Sequence, residues 1–239
     1  MRTSSYQYSI SPEIFRNFPG YVRGVVVAHQ VRNQESPPEL MELLRQAEAD
    51  LRRRLELDHL LEEPHIQAWR EAFRAFGAKP SEFRPSIEAL ARRVLRGEPL
   101  PSINTLVDIG NLLSLRFLIP TGGHAIDHLE GDISLRLADG SERFIPLGSE
   151  EMEHPLPGEV IFAEGEFVLT RRWIWRQGQH TLTQLETTAI EYNIDGLPPT
   201  TAAEVEAVCS ETAALIERFC GGKMRWQALS EVSPVMILS

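Results

Sequence analysis

Apolar positions change their period along this chain, and the change separates a helical block from a strand-rich block. Tyr21 to Val31 contains the uninterrupted run Val25-Val26-Val27, which predicts a strand buried on both faces. Ser36-Pro37-Pro38 opens a helix on which Leu40, Leu43, Leu44, Ala47, Leu51 and Leu55 recur at helical spacing. Its other face carries Arg45, Glu48, Asp50 and Arg52, the pattern of a solvated surface. A second helix follows Pro64, with Ile66, Trp69, Phe73 and Phe76 inward, and Gly77 supplies its left-handed stop. A third is expected from about Ser86 to Arg96, and a fourth from about Ser102 to Phe117, bounded by Pro101 and Pro120. From Ile133 the period becomes two. Ile133, Leu135 and Leu137 alternate with polar residues, and Asp139-Gly140 reads as a hairpin turn. Further strands are expected over 144–146, 159–163, 167–175 and 187–194. Thr201 and Glu204 form a capping box, whose helix turns Val205, Val208, Cys209, Leu215, Ile216 and Phe219 inward and stops at Gly221-Gly222. A last strand is expected near 224–229.

Helices in a block, then strands, then a helix is an α+β order. The expectation is a single compact domain over residues 1–239, a mixed or antiparallel sheet with helices packed against it, and a disordered lead-in over residues 1–12.

Composition narrows the function. No apolar run reaches the roughly 18 residues that suggest a membrane span, and residues 1–12 hold no apolar signal core, so a cytoplasmic protein is expected. The net charge of -10 argues against a sequence-blind nucleic-acid coat, which needs a positive field. Cys209 and Cys220 share one predicted helix at about 16 Å separation, too far for a disulfide, and both fall on its apolar stripe as small core residues.

The candidate chemistry concentrates between Pro101 and Asp127. Asn104, Asp108 and Asn111 lie at i, i+4 and i+7, so they share one face of an otherwise apolar helix. Unsatisfied buried polar groups cost about 1–3 kcal/mol each, so this stripe either caps neighbouring loops or lines a pocket. Gly122-Gly123-His124 reads as a turn presenting His124, Asp127 and His128; His124 and His128 have the spacing of a helical metal pair, but no third ligand cluster accompanies them. Arg171 to Arg176 interleaves arginine and tryptophan. On a strand, Arg171, Trp173 and Trp175 would share one face, leaving Arg172 and Arg176 on the other for phosphate. Arg92, Arg93 and Arg96 form a second basic group. No phosphate loop, dinucleotide fingerprint, serine elbow or Cys-x-x-Cys pair is present, so no cofactor and no metal are expected.

Residues 101–111, Pro-Ser-Ile-Asn-Thr-Leu-Val-Asp-Ile-Gly-Asn, resemble a signature of the bacterial phenylalanine–tRNA ligase beta subunit, and His124-Ala125-Ile126-Asp127 resembles its His-Ala-Phe-Asp. Residues 84–90, with Trp173 and Trp175, are similar to free-standing relatives of that module, and the likeness spans roughly 69–195. Gly110 stands where the family often has threonine, and two extra residues within Thr121 to Gly123 precede His124. The resemblance implies an α+β editing module that hydrolyses the ester of a mischarged tRNA without a cofactor. It implies catalytic roles for Asn111, His124 and Glu191, substrate contacts from Asn104, Asp108, Gly123 and Asp127, and contact with the tRNA acceptor end through Arg172 and Arg176. Two rival functions remain: a non-catalytic module that binds tRNA or an amino acid, and a metal-assisted hydrolase built on His124, Asp127 and His128. No DNA or membrane partner is expected, and the sequence leaves the oligomeric state open.

Overall fold

In the computed structural model, which describes residues 6–238, two β-sheets face one another and helices cover the outer face of one. The chain opens with β1 (Gln7–Ile10), α1 (Pro12–Asn17) and β2 (Val22–His29). The helical block follows as α2 (Pro38–Arg54), a 3-10 turn (Leu57–Glu62), α3 (Pro64–Ala75), α4 (Ser86–Leu95) and α5 (Thr105–Phe117). Then come β3 (Thr121–Ala125), β4 (Ile133–Leu137), β5 (Val160–Glu164), β6 (Phe167–Arg171), β7 (Arg176–Gln177) and β8 (Ala189–Gly196). The chain closes with α6 (Ala202–Cys220), β9 (Lys223–Leu229) and β10 (Val235–Ile237). The α+β architecture expected from the order of periods is the one observed.

One sheet runs β10-β1-β4-β5-β6-β7, the other β3-β8-β2-β9; among the named strand pairs of the described residues, only β1 and β4 run parallel. In the four-stranded sheet, Gly24, Val26 and Ala28 of β2 and Ile190, Tyr192 and Ile194 of β8 form one face. Helices α5 and α6 close on it, and the Tyr192 hydroxyl donates to the Leu106 carbonyl. Glycines permit the close approach: a Cβ on Gly24 would stand 2.2 Å from Cys209 Sγ, and one on Gly196 2.5 Å from a Val205 methyl. Burial pushes the Cys209 and Cys220 thiols up to about 12, so both remain protonated core residues.

The opposite face of this sheet is polar, although it looks onto the six-stranded sheet rather than onto water. Arg23 of β2 with Glu191, Asn193 and Asp195 of β8 project from it, paired in register as Arg23–Asp195, Val25–Asn193 and Val27–Glu191. Tyr8 of β1 donates to Asn193 Oδ1, and Tyr21 donates to Asp195 Oδ1. Helix α4 is held on α3 by the buried Glu88 carboxylate, which accepts from Arg70 at 2.8 Å and from Arg92 at 2.9 Å.

Several local expectations fail. Residues 7–12 are ordered, because β1 is sandwiched between β4 and β10 and Ser11 caps α1; residues 1–5 lie outside the described residues. Gly122-Gly123 is not a turn but the start of β3, which pairs with β8. Asp139-Gly140 does turn the chain, but into a long excursion over 138–159 in which the Glu142 carboxylate accepts from both turn amides. Residues 144–146 contribute only isolated bridges. The strand expected over 167–175 stops at Arg171, because Arg172 and Trp173 adopt left-handed backbone, φ 47° and 63°.

The Gly24–Cys209 approach gives a direct test of helix docking. Gly24→Ala is expected to destabilise the protein by roughly 1–3 kcal/mol through overpacking. Adding Cys209→Ala should recover much of that loss, and non-additive melting data would report the coupling.

Candidate functional site

The two sheets part at one side, where α4 and the turn after β6 leave a cleft of about 450 Å³. Its floor is the polar sheet face: Arg23, Asn193 and Asp195, with Gly122 and His124 of β3 beside them. One wall is α4, through Ser86, Ala89, Leu90 and Arg93. The other is the segment 173–177, and Asn111 enters from α5. Glycine at 122 matters here. It alternates with His124 on the cleft face of β3, and a Cβ there would meet nothing within 4 Å, so the space above it belongs to the cleft. Gly123 points the other way, where a Cβ would stand 2.7 Å from Ile190.

His124 is the most thoroughly positioned side chain in the cleft. Its Nδ1 lies 2.6 Å from Thr181 Oγ1 and 3.2 Å from Gln177 Nε2, its Nε2 lies 3.0 Å from Thr170 Oγ1, and its ring packs edge-on against Phe162 at 5.2 Å. Gln177 Nε2 also lies 3.2 Å from the Gly123 carbonyl and 3.1 Å from the Thr181 carbonyl, so its two N–H bonds serve those carbonyls as well as Nδ1. Through Nε2 the ring is hydrogen-bonded to the Thr170 hydroxyl, which lines the cleft. Burial, with the Arg23 and His180 charges, pushes His124 down to about 3, so the imidazole is neutral at physiological pH.

Asn111 is half-buried, and its carboxamide has no partner among the described hydrogen bonds, so it is free for a ligand. The other two polar residues on its helix face do different work. Asn104 is the N-cap of α5, accepting from the Val107 amide at 3.1 Å and donating to the Thr183 carbonyl at 3.2 Å. Asp108 is fully buried and accepts from Ser36 Oγ at 2.6 Å, Ser102 Oγ at 2.8 Å and the Ile103 amide. Asp127 accepts from the Thr188 hydroxyl and from the Thr188 and Ala189 amides, which fixes the start of β8. None of Asn104, Asp108 and Asp127 lines the cleft.

Glu191 pairs in register with His124 but is sealed between the sheets, 0% exposed, and does not line the cleft. Its Oε1 accepts from Asn193 Nδ2 at 3.0 Å and its Oε2 has no partner. Burial pushes its carboxyl up to about 8, against the opposing pull of Arg23 and Asn193.

The arginine–tryptophan run is divided between core and rim. Trp173 is buried amid Phe18, Tyr21 and Trp69 at centroid distances of 4.7–5.1 Å, and its indole N–H faces Asp195 Oδ1 at 3.3 Å. Arg172 is buried too, stacked 3.6 Å over Phe83 and 4.5 Å over Trp175, while Arg176 is half-buried at the cleft rim. His128 is exposed on a turn rather than sharing a helix face with His124, and among the described residues no group of three His, Cys, Asp or Glu side chains could hold a metal ion.

A family model described as the B3/4 domain matches residues 68–222, which include α4, α5, β3, the 173–177 wall and β8. The chain belongs to the B3/4 domain family. Its motifs resemble those of the phenylalanine–tRNA ligase beta subunit. A crystal structure of an N-terminal fragment of the phenylalanyl-tRNA synthetase beta-subunit from Pyrococcus horikoshii is similar to this chain, with 13% identity and a TM-score of 0.44. The match covers 91% of this chain and 50% of that one, so this B3/4 protein spans about half the length of the fragment. No curated protein matches it. Among the described residues, no helix is long and apolar enough to cross a membrane.

Cleft residues that sequence reasoning missed are Arg23, Thr170, Gln177, Asn193 and Asp195. Of these, Arg23 left a local signal, as a charge within the strand expected over Tyr21 to Val31.

The two displaced ionisations set opposite pH limbs. His124, lowered from 6.5 to about 3, contributes stability present above pH 6.5 and lost as pH falls toward 3. Glu191, raised from 4.5 to about 8, contributes stability present below pH 4.5 and lost as pH rises through 8. His124→Gln should therefore flatten the acid limb between pH 6.5 and 3, and Glu191→Gln the limb between pH 4.5 and 8. Denaturant melts across pH 4–9 will show whether each variant flattens only its own limb.

Proposed function

We propose that this B3/4 protein acts on aminoacyl-tRNA as a free-standing deacylase, hydrolysing the ester of a mischarged tRNA. The observation that carries the reading is the meeting, in one cleft, of the unpartnered Asn111 carboxamide with the His124–Thr170 pair, both from the segments that resemble the editing module. An ester requires no covalent nucleophile when water is positioned and the carbonyl polarised. Asn111 would donate its amide N–H to the carbonyl oxygen. Thr170, oriented by His124, would hold the water. The water oxygen bonds to the carbonyl carbon and the carbon–ribose oxygen bond breaks. The proton that the attacking water loses passes to the ribose oxygen, leaving a free amino acid and an intact tRNA terminus. Because His124 is neutral, its part is orientation rather than proton donation. Glu191 would act from behind the floor, through Asn193, on the amino-acid side chain.

The tRNA would approach over α3 and α4. Residues 64–100 carry seven of the chain's 24 Lys and Arg but only four of its 34 Asp and Glu, and although Glu88 engages Arg70 and Arg92, Arg93 of this segment lines the cleft. Arg93 and Arg176 would contact phosphate, whereas Arg172 would serve by stacking Trp175 in place. A second reading, a module that binds tRNA or an amino acid without chemistry, is favoured by one observation: both nitrogens of His124 are already engaged.

Deacylation of a panel of mischarged tRNAs separates the readings. Wild type should release amino acid from at least one; Asn111→Ala and His124→Ala should each slow release by about ten- to a hundredfold. Gly122→Val, which fills the cleft without a backbone clash, should stop it. Retained tRNA binding with no release from any substrate would establish the binding module instead.

Arg93→Ala with Arg176→Ala should weaken tRNA binding and shallow its salt dependence by one or two phosphate contacts, each worth a slope of roughly 0.7–0.9. Unaltered affinity and slope in the double variant would move the tRNA to another face.

A further inference from the structure

Arg23 is an unusual residue to find where it is. It stands two residues before the apolar run of β2, is 2% exposed, and forms part of the floor of the cleft. Its guanidinium is clamped between Phe162 and Tyr8, with ring centroids 4.8 and 5.7 Å from its central carbon. A guanidinium offers five N–H donors, and burial without acceptors is costly. Here the acceptors are too few. Nη2 reaches Asp195 Oδ2 only at 3.5 Å, and Nε lies 3.2 Å from Oδ1 but out of line for a hydrogen bond. Nη1 has no partner. Asp195 does not compensate, because its Oδ1 accepts from the Tyr21 hydroxyl and faces the Trp173 indole N–H.

The charge of the lining is also unbalanced. Three arginines, Arg23, Arg93 and Arg176, face the cleft against one carboxylate, Asp195, in a protein whose net charge is -10. Arg93 and Arg176 stand on the walls, within reach of a nucleic-acid phosphate, but the buried, ring-clamped Arg23 is shaped for a smaller group. A planar guanidinium with spare donors matches a carboxylate, which brings two acceptor oxygens in the same plane.

We propose that the floor of the cleft is a carboxylate-binding subsite with Arg23 as its anchor, taking an amino-acid-sized ligand by that group. The carboxylate has two sources: the α-carboxylate of a free amino acid, or the side chain of an acidic aminoacyl group whose own α-carboxyl is esterified. The inference rests on the geometry of Arg23 and not on the hydrolytic reading, so a protein that binds carboxylates and cleaves nothing satisfies it.

Calorimetric titration of the full chain at neutral pH tests it with three probes. Phenylalanine carries only an α-carboxylate, aspartic acid α-amide only a side-chain carboxylate, and phenylalaninamide none. One of the first two should bind at least tenfold more tightly than phenylalaninamide, and which one does so identifies the source. Arg23→Gln should lower that affinity by about ten- to a hundredfold, and Arg23→Lys, which keeps the charge but not the fork, by less. Since Arg23→Gln strands Asp195, the Arg23→Gln/Asp195→Asn pair provides a neutral floor, with its melting curve as the folding control. The proposal is overturned if phenylalaninamide binds as tightly as both carboxylates. It is equally overturned if a folded Arg23→Gln variant keeps wild-type affinity, or if neither carboxylate binds at about 10 mM.

Discussion

The Arg23–Asp195 ion pair is buried between two β-sheets at the floor of the cleft, and the surrounding elements are arranged around that constraint. Such a pair recovers its desolvation only if hydrogen bonds meet its remaining polar atoms; removing one partner typically costs about 3–5 kcal/mol. Aromatic residues with polar tips resolve part of the conflict, since their bodies fill the apolar space while Tyr8, Tyr21 and Trp173 turn a donor toward the polar face. The left-handed turn at Arg172-Trp173 belongs to the same solution. Each left-handed residue costs roughly 1–2 kcal/mol, and the turn is what brings the Trp173 indole among Phe18, Tyr21 and Trp69 with its N–H on Asp195.

Local periodicity revealed the elements that bury one face against a neighbour. Helices α2 to α6 and strand β2 were legible because their apolar residues recur at the period of their own backbone. Strand β3 was not, because Gly122 and Gly123 have no side chains with which to alternate; their emptiness leaves room for the cleft on one side and for Ile190 on the other. β1 was hidden because its neighbours β4 and β10 lie far along the chain, and such pairing leaves no local trace.

The site shows how far helical spacing reaches. Asp108 and Asn111 share a face of α5 as their spacing requires, but Asn104 is the extended cap before it, and the three meet a buried cap, the loops around Ser36 and Ser102, and the open cleft in turn. Spacing fixes the direction of a side chain, not what lies opposite it at each turn. Glu191 is the counterpart on a strand. Its register sets it beside His124, but depth between the sheets is a tertiary property, and Arg23 rather than Glu191 occupies the floor.

The position of β2 in its sheet has a consequence for the chain during synthesis. β2 is complete at residue 29, but its two neighbours are residues 189–196 and 223–229. At about 5–20 residues per second, the ribosome takes on the order of ten seconds to deliver the first of them. Throughout that interval Val25, Val26 and Val27 have no ladder to join, and the buried arginine beside them has no counter-ion. The nascent chain thus carries an unpaired β2 while α2 to α5 are already long enough to coil, and the ladder closes only when residues 189–196 and 223–229 have emerged.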